Sequence, residues 1–173
     1  MLDDCCAFTG HRPHKFPWRY DEADSRCVAL KATLAGQIIA LFEAGVADYY
    51  NGGANGVDCW AALIVLDLRI KNPTLKLHCI LPHEGQDDKW SNSAQERYHF
   101  ILRQNDSVEY ISREYYDGCM MDRSHRLVES AGLLLAIYNG EQRESTAATM
   151  RYARKLGRRI MILDPASLKI IKE

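Results

Sequence analysis

Asn51-Gly52-Gly53-Ala54-Asn55-Gly56-Val57-Asp58 joins a strand-like segment, Ala47 to Tyr50, to a strongly apolar helical pattern from Val57 to Ile70. This junction of strand, glycine turn and helix decides how the chain is read. Three glycines within five residues remove the Cβ atoms that would hold a ligand away from the backbone. The helix that follows offers unpaired N–H groups and the positive end of its dipole, so the turn is a natural place for an anion such as phosphate. The dinucleotide pattern G-x-G-x-x-G is absent, as is the P-loop pattern with its Lys and Ser/Thr, so the turn alone names no cofactor. A tight turn whose glycines serve only backbone geometry would contain the same residues.

Working outward, strands and helices alternate. Asp4 to Phe8 is a short apolar strand that runs into Thr9-Gly10, and a helix opens near Asp21 with Leu30, Leu34, Ile38, Leu41 and Phe42 on one face. Leu75 to Leu81 and Ser107 to Ile111 read as further strands, separated by a helical pattern from Lys89 to Asn105. Gly118 to Ser130 reads as a helix. Gly132 to Tyr138 is a near-continuous apolar run of the kind found in central parallel strands. Arg143 to Leu156 is a helix ended by Gly157, and Arg159 to Leu163 is the last strand, before Pro165. The order predicts a Rossmann-like, three-layer α/β/α fold with a mostly parallel sheet and right-handed crossovers. Residues 1–173 form a single domain in this reading, since no linker-like stretch, repeat or charge block divides them.

Composition narrows the function classes. Twenty-two Lys and Arg against 23 Asp and Glu leave a net charge of −1, so no global basic field draws the chain to nucleic acid or anionic lipid. Asp3 and Asp4 are the opposite of a basic signal-peptide start, and no stretch is expected to reach a membrane span, which points to a cytoplasmic protein without a membrane partner. The six cysteines lack C-x-x-C spacing and read as reduced thiols in packing roles. The six histidines lack metal-ligand spacing, so no metal is implied. The apolar helices leave room for a homodimer.

In open α/β sheets ligands bind beyond the carboxyl ends of the strands, so three loops should converge on one crevice. In Thr9-Gly10-His11-Arg12-Pro13, Gly10 permits close approach, Thr9 offers a hydroxyl, and Arg12 offers a planar fork suited to phosphate or carboxylate. In the glycine turn, Asp58 is expected to accept from a ribose hydroxyl or a neighbouring loop N–H, because a carboxylate aimed at phosphate would repel it. The third loop runs from Tyr138 through Asn139, Gly140, Glu141 and Glu144 to Ser145 and Thr146. Its hydroxyls either line a second anion cradle or cap the helix, the latter worth about 1 kcal/mol. Trp18, in a proline-bounded loop, is the expected aromatic ligand contact, whereas Trp90 and Tyr98, at helical spacing, are expected in the core. Arg123 can reach the crevice from the helix between the fourth and fifth strands.

With these three loops in place, the sequence resembles the SLOG superfamily, which joins the Smf/DprA DNA-processing proteins to the LOG cytokinin-activating proteins, and within it the YpsA-like branch. The resemblance rests on Thr9 to Pro13, Gly52 to Asp58 and Tyr138 to Thr149, and so covers nearly the whole chain. It implies a Rossmann-like domain that binds or senses a nucleotide-derived small molecule, such as ADP-ribose or a mononucleotide. The expected ligand-binding residues are Thr9, Gly10, His11, Arg12, Gly52, Gly53, Ala54, Asn55, Gly56, Asp58, Asn139, Gly140, Ser145 and Thr146 from the three motifs, with Trp18 and Arg123 from the loop and helix beside them.

LOG-type hydrolases carry P-G-G-x-G-T-x-x-E, whose glutamate supports N-glycosidic cleavage. Thr149 stands at that position here, and a hydroxyl cannot replace a carboxylate as base or as stabiliser of an oxocarbenium-like state. An N-glycosidic hydrolase would therefore need a displaced carboxylate, Glu141 or Glu144, both of which read as solvated charges. DprA-like binding of single-stranded DNA is the other alternative, and the missing basic stripe counts against it. Catalytic residues are left unassigned.

Overall fold

The computed structural model describes all residues from Met1 to Glu173. Its elements are β1 (Cys5–Gly10), α1 (Ser25–Glu43), β2 (Asp48–Asn51), α2 (Val57–Arg69), β3 (Lys76–His83), α3 (Asn92–Gln104), β4 (Ser107–Ser112), α4 (Cys119–Glu129), β5 (Leu133–Ile137), α5 (Ser145–Lys155), β6 (Arg159–Leu163) and β7 (Ile170–Lys172). The strands form one seven-stranded sheet in the order β4-β3-β2-β1-β5-β6-β7. All pairs are parallel except β6 with β7. This is the expected Rossmann-like arrangement.

Two apolar layers explain why the helices lie where they do. Leu30, Leu34 and Ile38 recur at helical spacing on α1 and are fully buried with Phe8, Tyr49, Val57 and Trp60 on one face of the sheet. Burying each such aliphatic side chain contributes about 1.5–3 kcal/mol. On the other face Leu127 and Val128 of α4 and Met150 and Ala153 of α5 pack over Ala7, Leu134, Ala136 and Ile160. β5, buried at every position, lies between these layers. α1 has the length and hydropathy of a membrane span, contrary to the sequence expectation, but its apolar stripe is spent on the sheet.

Sheet order places the site. From β1 the chain winds toward β4, then crosses back to β5 and winds the other way, so the direction reverses between β1 and β5. Their register sets Thr9 beside Ala136 and Gly10 beside Ile137, and the two strands end level. The loops that leave them are therefore adjacent, at the point where open α/β sheets hold ligands.

Element ends differ from the sequence reading in instructive places. β1 runs to Gly10, so Thr9 and Gly10 belong to the sheet edge itself. α1 starts at Ser25, where the Asp24 carboxylate accepts from the Arg26 N–H at 2.9 Å. α3 starts only at Asn92, capped by Ser91, which leaves Lys89 and Trp90 in the preceding loop. β7 has no counterpart in the sequence pattern, because three residues carry no periodicity. It is set by a turn in which Asp164 accepts from the Ala166 N–H at 2.9 Å and the Ser167 hydroxyl at 2.8 Å.

Gly10 is where β1 and α2 come closest. A Cβ there would stand 2.7 Å from both methyls of the buried Val57. Gly10→Ala should accordingly cost about 1–3 kcal/mol through overpacking, measured by urea denaturation. Pairing it with Val57→Ala, which makes room, should recover part of that loss.

Candidate functional site

A cavity of about 470 Å3 opens at the carboxyl ends of β1 and β5, beneath α4. Thr9, Gly10 and Arg12 line it from the first loop, Ala54 and Asp58 from the glycine turn, and Ser145 and Thr149 from the start of α5. Arg123 reaches it from α4, together with Met120 and Met121, which sequence reading had not assigned to the site. A second cavity, of about 700 Å3, adjoins it on the far side of Arg12 and His14, which line both.

The glycine turn is held by its own side chains. Asn51 accepts from the Gly53 N–H at 2.9 Å and Asn55 accepts from the Gly56 N–H at 3.0 Å. Gly56 precedes α2 with φ +97° and ψ −126°, a conformation that side chains disfavour, so the sharp entry into the helix needs a glycine there. The Gly52 carbonyl is turned inward and accepts from the Arg123 guanidinium and from the Gln86 amide. Gly52 and Gly53 therefore support the turn from beneath, while Ala54 and Asp58 form its surface in the cavity.

Asp58 and Arg123, 7% and 6% exposed, are the buried charges of the site. Burial raises the Asp58 pKa, opposed by the charge of Arg123 and then by the Ala54 N–H, which the carboxylate accepts at 3.2 Å. Burial likewise lowers that of Arg123, opposed by Asp58. No direct ion pair within 4 Å joins them, so the coupling acts through a low-dielectric interior. Asp58 thus accepts from the backbone of its own turn, where a neighbouring loop or a ribose was expected.

His11 and Trp18 lie elsewhere than the sequence reading had them. His11 is 2% exposed, and both ring nitrogens are engaged within the protein. Its Nε2 accepts from the Asn139 N–H at 3.1 Å, which places the proton on Nδ1, where it donates to Glu144 at 3.2 Å. His11 and Asn139 therefore lock the first loop to the third. Trp18 is drawn into the core because the turn at Pro13–Lys15 folds the chain back, and Phe16 and Trp18 stack at 4.8 Å beside Trp60. Trp90 does the reverse, lining the second cavity from the loop before α3.

Glu144 is largely buried rather than solvated, with its other oxygen 2.9 Å from Lys15. Burial alone would raise its pKa, but hydrogen bonds from Lys15 and His11 hold it below the ordinary carboxylate range. Ser145 begins α5 with an exposed side chain, while Thr146 is buried with its hydroxyl unpartnered. Gly140 is exposed outside the cavity. The hydroxyl of Thr149 donates to the Ser145 carbonyl at 3.0 Å and so is committed to its own helix. Neither Ser145 nor Thr146 caps α5.

The helix starts show a consistent contrast. α2, α4 and α5, whose first turns meet the central cavity, have no side-chain cap. α1 and α3, which start away from it, are capped by Asp24 and Ser91. Arg12 stands among the uncapped starts, exposed and without an acidic partner within 4 Å. Such a site has backbone donors and positive potential to offer an anion.

A model of the YspA SLOG family matches residues 6–166. The chain belongs to this family. Two UPF0398 proteins, from Bacillus cereus (strain ATCC 14579) and Bacillus thuringiensis (strain Al Hakam), are each 29% identical to it over 154 residues. Each alignment covers 87% of this chain and 83% of the relative. Membership in the YspA SLOG family supports a nucleotide-related role and specifies neither ligand nor reaction. In this SLOG chain the three sequence motifs meet through β1, β2 and β5, and α4 adds a fourth wall, with Met120 and Met121 beside the expected Arg123.

Proposed function

We propose that the cleft at the carboxyl edge of the sheet binds a nucleotide or nucleotide-derived small molecule, with its phosphate at Arg12 and the uncapped helix starts. The observation that carries this reading is the unpartnered Arg12 beside three helices without side-chain caps. Each charge-assisted hydrogen bond to phosphate contributes about 1.5–3 kcal/mol, so Arg12 and a few backbone donors suffice for roughly micromolar affinity. Asp58 lines the same cavity, but one of its oxygens accepts from the Ala54 N–H and its charge is offset chiefly by Arg123.

Binding, and no particular reaction, is the reading best supported. Thr149 is bonded to its own helix, and both oxygens of Glu144, the displaced carboxylate a hydrolase would need, are engaged by Lys15 and His11. Of the aromatics that could stack on single-stranded DNA, Trp18 packs in the core, and a net charge of −1 supplies no basic stripe around Tyr20 and Trp90.

Equilibrium dialysis and thermal shift against mononucleotides, ADP-ribose and dinucleotides test the proposal. At least one should raise the melting temperature with a saturating concentration dependence. No shift and no retention with any of them at millimolar concentration would remove it. Release of free base or ribose phosphate would show a reaction in addition to binding.

A further inference from the structure

The second, larger cavity has features that phosphate binding does not explain. It lies between the loop after β1 and the start of α3, and Arg12 stands at its junction with the central cavity. Two aromatic residues line it. Tyr20 is 67% exposed, and Trp90 is half-buried, set edge-on to Tyr98 at 5.2 Å. An exposed tyrosine and a partly open tryptophan flanking one polar cavity are what a planar aromatic ligand group requires.

The floor between them is built rather than incidental. Arg97 donates to both Glu22 oxygens, at 3.0 and 2.9 Å, and to the Asn55 side-chain oxygen at 3.3 Å, which ties this cavity to the glycine turn. Lys31 also binds Glu22. Burial would raise the Glu22 pKa, but these hydrogen bonds hold it below the ordinary range, so it remains an ionised acceptor. A carboxylate has about four lone-pair sites, which leaves capacity for a ligand hydroxyl. Lys89, without an acidic partner within 4 Å, adds positive charge at the rim.

We propose that this larger cavity is the base subsite of a nucleoside diphosphate or diphosphate-bridged dinucleotide whose phosphates lie at Arg12, with Trp90 and Tyr20 stacking on the base and Glu22 accepting from the adjoining ribose. The proposal rests on the phosphate-site reading above and assigns the ligand's direction: phosphates at the sheet edge, base toward α3. Volumes of about 470 and 700 Å3 on either side of one arginine fall within the range of small-molecule pockets and suit a ligand with two lobes.

Trp90 supplies the readout. The chain has three tryptophans, and Trp18 and Trp60 are buried, so a base stacked in this cavity should quench mainly Trp90 emission. Isothermal titration of the whole chain with ribose 5-phosphate, AMP, ADP and NAD should show ADP and NAD binding about ten-fold or more tighter than ribose 5-phosphate, with fluorescence quenching. Trp90→Ala should lower ADP and NAD affinity about ten-fold, leave ribose 5-phosphate unchanged and abolish the quench. Trp90→Phe should keep the affinity without the quench. Tyr20→Ala, at an exposed position, should weaken ADP and NAD in the same direction with the fold intact. If ADP or NAD binds and both alanine variants leave its affinity unchanged, the base lies elsewhere and the subsite falls, while the phosphate-site reading stands. If none of the four ligands binds at millimolar concentration, both fall.

Discussion

Arg123→Ala is expected to destabilise the protein by about 3–5 kcal/mol, the cost of leaving a buried charge without its counter-charge. Arg123 donates to the Gly52 carbonyl and is the largest opposing charge on Asp58, and both residues are inside. The substitution removes the brace beneath the glycine turn and strips the carboxylate of its largest counter-charge. For a chain of this length the melting temperature should fall on the order of 10 °C. The effect should depend on pH. Burial already raises the Asp58 pKa, so its contribution to stability is fully present below the unfolded value and is lost as pH rises through the folded one. Without Arg123 the folded value rises further, so the deficit should be larger at pH 8 than at pH 5. Asp58→Asn combined with Arg123→Met should recover much of the loss, because removing both charges leaves neither isolated. An Arg123→Ala variant as stable as the parent at pH 8 would contradict this account of the pair.

Arg12→Ala should do the opposite: little change in stability and a large change in binding. The side chain is exposed and forms no ion pair within 4 Å, so folding uses it little. A bidentate arginine–phosphate contact is worth about 1.5–3 kcal/mol, so any phosphate ligand the parent retains should bind roughly ten- to hundred-fold more weakly. Arg12→Lys should restore only part, since an ammonium keeps the charge and loses the fork. Calorimetric titration measures the loss, and a melting curve checks the fold. Undiminished affinity in Arg12→Ala would place the phosphate somewhere other than the junction of the two cavities.

Much of the fold was legible because its physics is local. The periodicity of Leu30, Leu34 and Ile38, the apolar run of β5 and the glycine and proline stops each follow from neighbouring residues, so element order and sheet type could be read directly. β7 was not legible, since its pairing depends on β6 and a turn at Asp164 rather than on pattern. At the site, the three motifs were visible because glycine turns and a loop arginine have chemical signatures of their own. What each side chain does there was less visible. His11 looks like a ligand contact until Asn139 and Glu144 occupy both its nitrogens, 128 and 133 residues away.

The two tryptophans mark the division. Sequence alone dictates that strand and helix alternate, that the glycine turn opens a helix, and that Arg12 sits in a loop. These depend on backbone preference and hydrophobic period, which neighbours set. Three-dimensional packing sets the rest: Trp18 turns inward to stack on Phe16, Trp90 lines a cavity, and Arg123 braces the glycine turn from a distant helix. Burial, and the cost of leaving a buried charge or ring nitrogen unpaired, are properties of the packed whole, set by residues far apart in the chain.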